Sequence, residues 1–132
     1  MIDKKKREPE YTLHAFHGKD PETSEHVVAF VVRTVREFVS FMYEIPIKSK
    51  ISGASIDLWI HGLRVPENLV SGKGQARGIA LHRGLKGEYD LVVTNVDGAV
   101  NKFSVKITPQ DVVVKKLSRK PFIIYSNETV HL

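Results

Sequence analysis

The chain contains no cysteine. That absence removes disulfides, thiolate metal sites and cysteine nucleophiles together, and it suits a reducing compartment. Long apolar runs are missing too, since none approaches the ~18 residues of a membrane-spanning helix. The opening stretch MIDKKKREPE lacks the apolar segment of a signal peptide, so a non-secreted, cytoplasmic or otherwise intracellular protein with no membrane partner is expected. At 132 residues there is room for one core, which excludes enzymes that work in a cleft between two domains. The expected organisation is a charged, disordered tail over residues 1–10 and a single domain over residues 11–132.

What is present is a mildly basic composition, with a net charge of +5 that is divided unevenly. Residues 54–87 carry +3 and residues 108–132 carry +2, while residues 88–107 between them carry −1. The excess sits on Arg64, Lys73, Arg77, Arg83 and Lys86, with Lys115, Lys116, Arg119 and Lys120 near the end. If folding merges these two segments into one patch, phosphates are attracted by a charge term that needs no reading of bases.

Apolar spacing supplies the fold expectation. Val27, Val28, Val31, Val32, Val35, Phe38, Val39 and Met42 gather on one stripe at helical periodicity, and Asp20-Pro21 reads as a cap and first helical position. So many β-branched residues also suit a strand from His26 to Arg33, followed by a shorter helix opened by Thr34 and Glu37. A coherent polar face favours the single long helix. After Pro46 the period changes to two: Ile56, Leu58 and Ile60 alternate with Ser55, Asp57, Trp59 and His61. Further strands are predicted over Tyr11 to His17, Gln75 to Arg83 and Phe122 to Ser126. A three-residue loop, Val96-Asp97-Gly98, would pair Leu91 with Phe103 in a hairpin, with Gly98 left-handed. Thr108 to Arg119 resembles a short helix, although Val112 to Val114 would accept a strand. The predicted class is α+β, with one long helix on a twisted antiparallel sheet of about five to six strands and a short C-terminal helix. That outline is similar to cystatins and hotdog domains at the level of fold alone, but the cystatin Gln-x-Val-x-Gly loop is absent.

The candidate chemistry is thin. Ser55, Asp57 and His61 carry triad residue types, yet at ~3.3 Å per strand residue Ser55 and His61 stand ~20 Å apart, far beyond proton transfer. The six histidines show no metal-ligand spacing, and Ser71 to Gly78 does not match a P-loop. A non-enzymatic binding domain without metal or cofactor is therefore expected. Its first reading is nucleic-acid binding, to RNA or single-stranded DNA, through the basic residues above together with Trp59 as a stacking platform. The second reading is a protein-interaction module or homo-oligomeric subunit using Phe30, Phe41 and Trp59 as interface residues.

Overall fold

The computed structural model describes residues 9–39, 42–66, 72, 74–116 and 121–132. These form nine strands and no helix: β1 (Tyr11–Lys19), β2 (His26–Phe38), β3 (Ile47–Ser52), β4 (Ser55–Ile60), β5 (Gly74–His82), β6 (Gly87–Thr94), β7 (Val100–Ile107), β8 (Val112–Lys116) and β9 (Ile123–Ser126). They build two sheets, β5-β2-β1-β9 and β3-β4-β6-β7-β8. Most neighbours are antiparallel, with parallel pairs at β1–β9 and β4–β6.

The predicted α+β class is thus corrected to an all-β sandwich, and the likeness to cystatins and hotdog domains goes with it. The segment read as a long helix is β2. Along it, Val28, Phe30, Val32 and Thr34 face the second sheet while Val27, Ala29 and Val31 face the other way, and both sets are buried. A strand apolar on both faces produces the same i, i+3, i+4 recurrences as a helix stripe. Polar residues stand at its two ends, His26 at the start and Arg33, Thr34, Arg36 and Glu37 in the last half, and His26, Arg33, Arg36 and Glu37 gave the false impression of a polar face. The proposed short helix after Thr108 is β8, as its Val112-Val113-Val114 run favours. Asp20-Pro21 caps no helix either: the Asp20 carboxylate accepts from the Glu22 amide at 2.8 Å, an Asx-turn that reverses the chain into β2.

Other local readings reappear in the pairing. Leu91 lies opposite Phe103, and Gly98 has φ 88° at the end of its three-residue loop. Ile56, Leu58 and Ile60 point inward, where they meet Leu13, Phe30, Val32, Leu91, Phe103 and Phe122 in one core. Each such side chain contributes roughly 1.5–3 kcal/mol through removal from water.

Two polar devices close this core. Asn101, buried on the inner face of β7, accepts the amides of Phe122 at 2.8 Å and Ile123 at 3.3 Å, which seats the start of β9. At one side of the sandwich Glu44 bridges Arg64 and Arg77, bringing the chain before β3 across the inner face of β5. Gly78 permits that crossing, because a Cβ there would stand 2.2 Å from the Ile45 carbonyl oxygen and 2.8 Å from the Ile47 side chain. Replacing Gly78 with Ala is expected to cost about 3 kcal/mol, since a backbone oxygen cannot rotate away. Urea unfolding of the two proteins measures this, and an unchanged midpoint would show that the crossing strand is free to shift.

Candidate binding surface

Of the described basic residues singled out in the sequence, Arg64 and Arg77 flank Glu44 in neighbouring bridges, and the rest lie on other elements. Arg64 pairs with Glu44 at 2.6 Å in the loop after β4, and Arg83 pairs with Glu25 beyond the far end of β5. Arg77 lies on the outer face of the four-stranded sheet, where it donates to the His131 carbonyl. Lys86 is exposed in the turn between β5 and β6, and Lys115 and Lys116 alternate on β8. Lys73, Arg119 and Lys120 lie outside the described residues, as does Phe41. Phe30 is fully buried against the second sheet, so it is a core residue and is corrected as an interface candidate.

Trp59 keeps its place. It is half-buried next to the end of β4 on the outer face of the five-stranded sheet, opposite Lys48 on β3 and Thr94 on β6. Strand register then assembles a set that linear charge counting could not see. Lys48 and Lys50 on β3, Lys102 and Lys106 on β7 and Lys115 on β8 share that outer face, with Asp57, Glu88 and Asp90 among them. Lys50 stands opposite Asp57, and Lys106 opposite Glu88. Lys48 stands beside the indole, and Lys115 opposite Ser104. Neighbouring strands are ~4.8 Å apart, so the face is a ribbed platform ~19 Å across, with the ring off centre.

The outer face of the other sheet is covered in part by its own chain, while Val35, Ile79 and Ile124 at its margins stay exposed. The chain after β9 lies over it: His14 donates through Nδ1 to the Glu128 carbonyl at 3.1 Å, Arg33 faces the Glu128 carboxylate at 3.7 Å, and the Leu132 side chain reaches Gly18. His14 is 0% exposed and accepts the Arg33 Nε–H at 3.0 Å through Nε2. Both ring nitrogens are therefore committed with the proton on Nδ1, and a second proton would face an arginine donor. Burial, the largest cause, and the Arg33 charge lower the His14 pKa, against weaker opposing effects from the Glu128 carbonyl and carboxylate. Burial also lowers that of His82, whose Nε2 is 2.9 Å from Ser49 Oγ.

Ser49 and His82 have the contact of a nucleophile and its base, but no carboxylate partners the histidine among the described residues. Ser55 and Asp57 lie on the outer face of β4, with exposed His61 just beyond the strand, and the pairings place no dyad partner beside them.

At the end where β1 begins, the surface is apolar. Val35, Leu63 and, beside Gly62, Val96 are exposed there, Val96 to 66%, near a groove of roughly 400 Å³ lined by Tyr11, Val35, Phe38 and Leu63 together with Glu10, Thr34 and Arg36. Arg36 caps the Phe38 ring at 5.1 Å from its centre.

Comparison with protein-family models, curated proteins and solved structures finds no match. No described helix is long and apolar enough to cross a membrane.

The two depressed histidines set a pH dependence. Because the folded state favours their neutral forms, the unfolded chain takes up protons first as pH falls. Their stabilisation is complete above the ordinary imidazole pKa of about 6.5, declines below it, and is lost once pH passes the folded-state values. The urea midpoint is expected to drop between pH 7.5 and 5.5. His14→Gln, whose amide can still donate to Glu128 and accept from Arg33, should shrink that drop; an equal drop in both proteins would remove His14 as its source.

Proposed function

We propose that this is a non-enzymatic binding domain whose ligand surface is the outer face of the five-stranded sheet and whose ligand is a single-stranded nucleic acid. The observation that carries this reading is the position of Trp59, an indole on the outer face near one end of β4 with Lys48 directly beside it and further lysines on β3, β7 and β8 along the same face. An aromatic on a cationic platform offers bases a stacking surface and phosphates a counter-charge, without sequence readout. Lysines on β3 and β8 alone would be explained as guards against edge-to-edge pairing, because those strands are sheet edges. Lys102 and Lys106 need another reason, since β7 is paired on both sides. The flat, ladder-like face suits an extended strand better than a duplex, which would call for an element projecting into a groove.

Fluorescence anisotropy with labelled oligouridine and oligothymidine tests this. Binding in the micromolar range that weakens steeply from 50 to 200 mM salt is expected. Trp59→Ala should weaken it about 5- to 100-fold, in keeping with the ~1–3 kcal/mol of one stacked base. Lys48→Glu should weaken it as well, whereas Arg83→Ala, already paired with Glu25, should leave it nearly unchanged. Absence of salt-sensitive binding would remove the proposal.

A second reading, self-association, is favoured by the apolar end around Val35, Leu63 and Val96. Sedimentation at tens of micromolar separates the two. A dimer that persists at high salt and is split by Leu63→Asp supports the apolar end as an interface, and a monomer under all conditions rejects it.

A further inference from the structure

At the opposite end of the sandwich two histidines meet head to head. His17 on β1 and His26 at the start of β2 bring Nδ1 and Nε2 to 2.9 Å, with ring centres 4.9 Å apart and planes inclined by only 27°. A separation that short between ring nitrogens, with nearly parallel planes, places the rings edge to edge rather than face on face. The second nitrogen of His17 is also committed: Nε2 lies 2.7 Å from the Thr108 carbonyl oxygen, which can only accept. The proton of neutral His17 therefore sits on Nε2, and the Nδ1 lone pair points at His26. An imidazole held by a backbone carbonyl on one nitrogen, with its free lone pair aimed at a second imidazole, has the outer-sphere support of a metal-ligating histidine.

We propose that His17 and His26 form an open, two-histidine site for a divalent transition-metal ion. The observed gap is that of an N–H···N hydrogen bond, so an ion at ~2.0–2.1 Å from both nitrogens is reached by a turn of the His26 ring. Imidazole nitrogens suit Cu²⁺ and Ni²⁺, which stand high in the ordinary affinity order of divalent ions. No third His, Cys, Asp or Glu joins the pair among the described residues, so water completes the coordination. Exposed His26 can turn its ring so that both lone pairs converge. The protons balance: neutral His26 now donates from Nε2, and on metal binding it carries that proton on Nδ1 instead, exchanged through solvent, so no proton is released. His17 belongs to one sheet, and Thr108 follows directly after β7 of the other. The bound ion would therefore clip the two strands of the β1–β2 hairpin together, beside the hydrogen bond by which His17 already reaches the second sheet.

Titration of the full chain with CuCl₂ and NiCl₂, followed by calorimetry and by imidazole NMR resonances, tests the assignment. One saturable site per chain is expected, with substoichiometric Cu²⁺ broadening His17 and His26 before His61 or His131. His17→Gln and His26→Gln, each checked by circular dichroism for retained fold, should each weaken Ni²⁺ binding by about tenfold or more. Ni²⁺ should also bind more tightly than Zn²⁺. Unchanged affinity in both variants, broadening centred on His61 or His131, or no uptake up to millimolar metal would overturn the proposal. A clear preference for Zn²⁺ would overturn the assignment to Cu²⁺ or Ni²⁺.

Discussion

The structure depends on β2 being apolar on both faces. From Val27 to Val32 every side chain is removed from water, which a strand achieves only with a layer on each side. The five-stranded sheet supplies one layer, through Ile56, Leu58 and Phe103 among others. The chain after β9 supplies the other, with His14, Arg33 and Arg77 bonding its carbonyls and carboxylate. Because His14 is enclosed beneath it, the polar fastening of this layer works at low dielectric, where each bond is stronger and each missing partner costs more. Every buried side-chain nitrogen and oxygen among the described residues has a partner. Among the described residues the two outer faces of the sandwich therefore differ, one roofed over its centre by the chain after β9 and the other uncovered.

The same strand explains where reading the sequence failed. Period-two segments with one wet face, such as Ser55 to Ile60 and the hairpin joining Leu91 to Phe103, were legible because alternation specifies both strand and register. β2 has no wet face over its first half, so alternation vanishes and a helical wheel accommodates its valines equally well. Its β-branched content pointed the right way, and that alternative was set aside for a polar face which is only the two polar ends of β2. Nothing near Val27 or Val31 in sequence tells of a cover that lies about a hundred residues downstream.

For the binding surface, Trp59 was legible from its parity against Ile56, Leu58 and Ile60, since a residue opposite a buried set on a strand must face outward. The cations were not. Counting charge by segment passed over Lys48 and Lys50, in a stretch with balanced charge, and Lys102 and Lys106, in a stretch that is net acidic. Those lysines become neighbours only through the β3–β4, β4–β6 and β6–β7 pairings. Conversely, Arg64 and Arg83 looked available because their carboxylate partners are 20 and 58 residues away. In a sandwich, surface charge is a property of registers and not of runs.

This distinction also bears on the chemistry the fold can support. Reactive constellations need side chains converging on one point, whereas outer sheet faces hold theirs roughly parallel, with same-face neighbours along a strand ~6.6 Å apart. Ser49 and His82 do converge, because β3 and β5 are edges of different sheets lying side by side, but burial lowers the pKa of the histidine and no carboxylate orients it among the described residues. Parallel presentation on a rigid support is poor geometry for catalysis and good geometry for holding an extended ligand by repeated, similar contacts. The bare face, with its indole and its rows of lysine, has that form, while the roofed face spends its one buried histidine and two arginines on keeping β2 dry.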